Sequence, residues 1–336
     1  MPRTAREKCG EGSTGNRMGN RIVNHGCRAQ RRHISALLAV FLAWTTCFPS
    51  WAGTQAPQGF KSPEEAAEAL AAAWRSGSTS ALIALFGPSG EKLVRSGDPA
   101  GERVARSWLA SAYDQAHRIE IDEAGKAVLI LGKTDWPYPI PLVRQGATWR
   151  FDARAGAQQI IDRRVGHNET HAIHVCRTYV QAQLDYGASH HTFDGQREFA
   201  QRITSSPGKH DGLYWGASGP EEESPLGPLI AAADAVGYGA ADGGTKAPFH
   251  GYLFRILTQQ GKHAPGGKHD YVVNGHMTGG FSLLAYPAKF GASGVMTFVV
   301  NQNGIVYEKN LGPRTGEIAR HMQAYDPDRS WTPALP

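Results

Sequence analysis

The stretch Gly294-Val-Met-Thr-Phe-Val-Val-Asn-Gln-Asn-Gly-Ile-Val-Tyr-Glu-Lys309 decides how the last lobe of this chain is built. Its first half is a run of β-branched and aromatic residues, the composition of a strand. Asn301-Gln-Asn-Gly304 is a strong turn signal, and Ile305-Val-Tyr-Glu-Lys309 returns as the partner. The reading is a β-hairpin. Upstream, Gly280-Phe-Ser-Leu-Leu-Ala-Tyr-Pro287 is a second strand that stops at its proline. His250-Gly-Tyr-Leu-Phe-Arg-Ile-Leu257 is a third, separated from it by the loop Ala264-Pro-Gly-Gly-Lys-His269. Residues 248–315 are therefore expected as a β-rich lobe, and 316–336 as a tail.

The middle, residues 156–247, is helical and loop-rich. A helical block opens near Ala157, passes Ile160-Ile161, and runs from Asn168 to Tyr186, with Ile173, Cys176, Tyr179, Gln183 and Leu184 at helical spacing. The stretch from Gly187 to Gly227 is rich in Gly, Pro, Ser and charge, with a short helix expected over Gln196–Ile203 and another over Pro228–Val236. In the first lobe, residues 60–155, Ser62, Pro63 and Glu65 form an N-cap, a first-turn proline and a capping box. Helices are expected from there to Arg75, over Ser80–Phe86 and over Gly101–Gln115. Strands follow at Arg118–Ile121, Lys126–Leu131 and Thr148–Phe151, and Pro137–Val143 is extended because its three prolines exclude a helix. Helices first and an antiparallel meander after them predict an α+β class.

The start of the chain reads as a secretory leader. Eight Lys/Arg precede Ile34-Ser-Ala-Leu-Leu-Ala-Val-Phe-Leu-Ala-Trp44, an apolar run of about 11 residues, where a membrane span needs roughly 20. Ser50-Trp51-Ala52 then places small residues for cleavage between Ala52 and Gly53. The expected leader is 1–52, with Met18 as an alternative start, and 53–59 is a linker. The whole chain carries +5, but without the leader it has 27 basic and 28 acidic residues. That balance gives no footprint for nucleic acid. The expectation is an exported protein, periplasmic or secreted, with no transmembrane segment once the leader is gone. Cys176 alone remains, so no internal disulfide can form.

Several stretches carry a family resemblance: Phe60-Lys-Ser-Pro-Glu-Glu-Ala66, Gly166-His-Asn-Glu169, Tyr179-Val-Gln-Ala-Gln-Leu-Asp-Tyr186, Asp211-Gly-Leu-Tyr-Trp215, Ser224-Pro-Leu-Gly-Pro228 and Ala264-Pro-Gly-Gly267. On these the chain resembles, from Phe60 to Leu311, the uncharacterised bacterial family catalogued as domain of unknown function 2950. The resemblance implies no activity. It places Asn168-Glu169 in the family pattern and leaves the histidines beside them outside it. The strands Gly251-Tyr-Leu-Phe-Arg255, Phe281–Pro287 and Gly294–Phe298 also look like the globular sheet of pilin-like proteins. The first lobe has the helix-then-sheet order of cystatin-like folds. Both are likenesses of fold.

His167-Asn-Glu-Thr-His171-Ala-Ile-His174 places three imidazoles on one helix face, a candidate for zinc or copper. An ordinary His-bearing surface is the plainer reading, and no cofactor is predicted. His210-Asp211 is a candidate acid–base pair if it lines a cleft. Tyr214-Trp215 are candidate binding anchors or lids over a small core. No Gly-x-Ser-x-Gly elbow occurs. The sequence therefore leans toward a non-enzymatic interaction or assembly protein whose partners are other envelope proteins. The alternatives are a ligand-binding or hydrolytic pocket near His210, and metal handling through His167, His171 and His174.

Overall fold

The computed structural model describes residues 56–216, 223–235, 238 and 247–335. The expected leader, with its Ala52–Gly53 cleavage point, lies outside the described residues.

In the first lobe, α1 (Pro63–Ser76) starts where Ser62 Oγ accepts from the Glu65 amide at 3.1 Å. The Glu65 carboxylate reaches back to the Lys61 amide, one residue before the cap, at 2.8 Å. Gly77, at φ 66°, ends the helix by donating to the Trp74 carbonyl. Then come α2 (Thr79–Phe86), α3 (Glu91–Val94) and α4 (Pro99–Gln115), whose N-cap is Asp98. The strands β1 (His117–Ile121), β2 (Ala127–Leu131), β3 (Trp136–Pro137), β4 (Leu142–Gln145) and β5 (Thr148–Phe151) form an antiparallel sheet in the order β1-β2-β4-β5, with β3 on β2. The proline-rich run splits into β3 and β4 because Pro139 and Pro141 bring no N–H to a ladder. Leu70, Trp74, Leu129, Leu131, Leu142 and Phe151 meet in the core beneath.

One helix then joins everything. α5 (Ala153–Ser189) has 37 residues, about 55 Å of rise, capped by Asp152 on the Ala155 amide. The helical block read from sequence between Ala157 and Tyr186 is one uninterrupted element, longer at both ends. Its first turns close the first core through Ala153, Ala157, Ile160 and Ile161. Its last turns supply Ala172, Cys176, Tyr179, Ala182 and Tyr186 to a second core.

The helix expected over Gln196–Ile203 does not form. Gln183, fully buried on α5, donates to the Ala200 carbonyl and accepts from the Ala200 amide, both at 2.8 Å. The Phe199 amide donates to the Met277 carbonyl. These tertiary bonds take the backbone groups that a helix would need, so the segment is extended.

The rest of the chain comprises α6 (Gly227–Ala235), β6 (Tyr252–Leu257), β7 (Gln259–Gln260), β8 (His269–Asp270), β9 (Val272–Val273), β10 (His276–Met277), β11 (Ser282–Pro287), β12 (Met296–Asn301), β13 (Tyr307–Asn310), α7 (Thr315–His321), β14 (Ala324–Tyr325) and β15 (Thr332–Pro333). A sheet in the order β15-β13-β12-β11-β6 is antiparallel throughout, and β14 adds a parallel pair with β7. Alternation along β11 assigns its faces. Leu283 and Ala285 join the core under α5, and Leu284 joins the opposite one with Val299 and Ala319 of α7. Arg255 completes α7 by donating to the Ala319 and Met322 carbonyls at its C-terminal end. The stretch read as a tail thus contributes a helix and two short strands to this lobe. No helix among the described residues is long and apolar enough to cross a membrane.

Candidate metal site

α5 is locked in rotation where it passes β12. Asn168 Nδ2, buried, donates to the Ser293 carbonyl at 2.8 Å. Glu169 Oε1 accepts from the Val295 and Met296 amides at 2.9 and 3.0 Å. One turn earlier, Arg164 donates to the Leu93 carbonyl of α3. These contacts fix the helix face that carries His167 and His171.

His250 meets that face from the turn before β6. Phe249 and Tyr252 exchange both backbone hydrogen bonds, at 2.8 and 3.0 Å, across His250 at φ 45° and Gly251 at φ 74°. Positive φ at both central positions makes a type I′-like hairpin turn. The carboxylate of Asp98, buried in the first lobe, holds the turn. Its Oδ1 accepts from the Gly101 amide of α4 at 2.9 Å, and its Oδ2 accepts from the Gly251 amide and from Tyr238 Oη, both at 2.8 Å. Tyr238 Oη also lies 3.5 Å from His250 Nδ1, at the outer limit of a hydrogen bond.

The outcome is a cluster of three imidazoles. One ring nitrogen from each of His167, His171 and His250 lies within 4.8 Å of the others. His250 stacks on His171 with centroids 3.9 Å apart and planes 10° apart, and His167 stands edge-on to His171 at 4.4 Å. Burial, then the charges of His171 and His167, lowers the His250 pKa to about 4. Burial, then His167 and His174, lowers His171. Neutral imidazole is the form that ligates a metal. Tetrahedral zinc with bonds of about 2.1 Å sets its ligand nitrogens about 3.4 Å apart and lies in the plane of each ring it binds, so closing the site requires His171 and His250 to turn out of their stack.

Two of the three histidines expected from sequence are therefore brought together, and His174 is not one of them. It stands two turns, about 10.5 Å, along the axis from His167, too far for one ion to take both. His250 replaces it. The sequence signal for His250 was a His-Gly pair after Pro248-Phe249, a turn signal hidden at the head of a strand-like run.

The other candidates are placed as follows. Asp211 accepts from the amide and the hydroxyl of Ser206, at 2.7 and 2.8 Å, and these bonds hold its carboxyl below the usual range. It staples its own loop. His210 stacks on Trp215 at 4.3 Å, and its carbonyl accepts from Tyr186. Tyr214 and Trp215 are half-buried against the second core. Cys176 is fully buried and its thiol is pushed up to about 12 by burial.

Fold and cluster together describe an α+β protein with a three-histidine niche between its long helix and the turn before β6. Over residues 57–334 the chain matches the model of the family described as "Protein of unknown function (DUF2950)", and it belongs to that family. No curated protein and no solved structure matches it.

Proposed function

We propose that this chain is an exported protein of the cell envelope that binds a transition-metal ion, Zn2+ or Cu2+, through His167, His171 and His250, as a binding module rather than an enzyme. The observation that carries the reading is the approach of three imidazole nitrogens to within 4.8 Å, contributed by a helix and a turn remote from it in sequence. An all-nitrogen donor set suits zinc and copper. Three protein ligands leave a coordination position open for a further donor. Glu169 would not join them, because its Oε1 already serves two amides of the β12 edge. The basic leader with its short apolar run and small-residue cleavage point supports export.

Metal-free mature protein from Gly53, titrated calorimetrically with Zn2+ and with Cu2+, should bind one ion per chain. The combined variant His167→Ala, His171→Ala, His250→Asn should bind none at the same concentration. Equal binding by the variant would end this reading.

A role in contacts with other envelope proteins has its own observation. Trp108 on α4 is 54% exposed and packs edge-on against Trp136, which also lies under the Arg163 guanidinium. Exposed Trp with Arg beside it is the composition of a binding hot spot. Photo-crosslinking from position 104, one turn before Trp108 on α4 and also exposed, in envelope extracts tests it. A defined adduct lost with Trp108→Ala supports the role, and the absence of any adduct opposes it.

A further inference from the structure

Beside the histidine cluster, an open groove of about 370 Å3 runs along α5, lined by Thr170, His171, Ile173, His174, Arg177 and Leu335. The volume lies within the range of small-molecule sites. His171 belongs both to this groove and to the metal cluster. Arg177 is exposed, and no ion pair joins it to a carboxylate among the described residues. Its neighbours in the groove are two imidazoles, a hydroxyl and two aliphatic side chains, with no acidic group in the lining. Leu335 is 81% exposed, so its apolar surface is available to a ligand.

Resting on the metal reading above, we infer that this groove holds a small organic carboxylate next to the bound metal ion. The carboxylate pairs with Arg177, whose planar fork matches its two oxygens. His174 offers a further donor beside it. The aliphatic body of the ligand lies on Ile173 and Leu335. A cation held by His171 adds positive charge at the same end of the groove, so metal and carboxylate strengthen each other's binding. By linkage the effect is mutual. The module then captures a metal ion and an organic acid together.

The test is calorimetric titration of the zinc-loaded mature protein with n-butyrate and, separately, with N-acetyl-alanyl-alanine. The expected result is saturable binding of at least one of them. Tighter binding of butyrate assigns the source to free organic acids, and tighter binding of the dipeptide assigns it to peptide C-termini. Arg177→Gln should weaken that binding roughly tenfold or more while its zinc affinity stays at the parent value. The metal-free protein should bind the same probe more weakly than the loaded one. Zinc bound with no saturable response to either probe would overturn the inference and leave the metal site standing. So would Arg177→Gln binding as tightly as the parent. If zinc does not bind, the metal reading fails by itself, and the coupled capture inferred here fails with it.

Discussion

The imidazole of His250 lies flat on that of His171, 3.9 Å between centroids and 10° between planes, although one sits in a turn and the other in the middle of a 37-residue helix. The contact exists because Asp98, from a different lobe, holds the Gly251 amide, and because Asn168 and Glu169 fix the helix face opposite. The placement of these rings therefore depends on groups outside the cluster.

The first expectation separates His250 from His174. His250→Asn keeps a residue that tolerates positive φ, yet it removes an imidazole from the cluster. Its zinc affinity, read by competition with a chromophoric chelator, should fall by more than about 100-fold, since changes in groups that only support a ligand already cost 10–100-fold. His174→Ala should leave zinc affinity within about twofold. The reverse order would restore the set of three helix histidines expected from sequence.

Acid should weaken the metal-free fold. His250 is lowered to about 4 and His171 is lowered as well, mainly by burial. Unfolded histidine takes up its proton near pH 6.5. As pH falls from about 6.5 toward 4, the unfolded chain binds more protons than the native one, so stability declines through that window. Above it these two groups contribute no slope. Urea midpoints measured from about pH 7 to about pH 5 should fall, and His250→Asn should flatten part of the fall. An unchanged slope in the variant would remove His250 from the account.

Asp98 is the stability hinge of the site. Asp98→Ala removes an N-cap and strands the Gly251 amide and the Tyr238 hydroxyl. A lost cap costs about 1 kcal/mol and the stranded, buried Gly251 amide about 1–3 kcal/mol, with less from the half-buried Tyr238 hydroxyl, so a loss of about 2–4 kcal/mol is expected in chemical unfolding. Zinc affinity should drop with it, because the turn carrying His250 loses its anchor.

Two glycines of the same lobe should respond differently to alanine. At Gly251, φ 74°, an added Cβ would come 2.4 Å from Asn168 Nδ2 and 2.9 Å from Ser293 Cβ. Gly291, φ 70°, has nothing within 4 Å. Gly291→Ala should cost only the backbone penalty of about 1–2 kcal/mol. Gly251→Ala adds a steric clash of about 1–3 kcal/mol and displaces Asn168. Thermal melts of the two variants should rank them in that order.

Gln183 tests why residues 196–203 are not helical. Gln183→Leu leaves the amide and carbonyl of Ala200 without partners in a buried place. A cost of about 2–4 kcal/mol is expected, with faster amide exchange confined to that segment and its Met277 contact.

Local physics made much of the architecture legible. The cap at Ser62, the hairpin around Asn301–Gly304 and the strand that stops at Pro287 are short-range signals, and the structure keeps all three. The α+β class followed from the order of such signals, and family membership from short motifs along the chain. Where a long-range bond competes with a local preference, the sequence misleads. Residues 196–203 have a helical pattern, but their backbone groups are taken by Gln183 and Met277.

By itself the sequence determined the main helices and strands of the first lobe, the long helix, the central strands of the last lobe, the charge balance and the helix face of His167 and His171, because spacing along one element is a local property. Only the tertiary structure decided that His250 and not His174 completes the cluster, that Asp211 serves its own loop, and that Arg177 overlooks a groove beside His171. The reason is geometric. A helix spreads residues seven apart by about two turns, whereas a folded chain can bring a distant turn to within a few ångströms. No pattern along the sequence measures that distance.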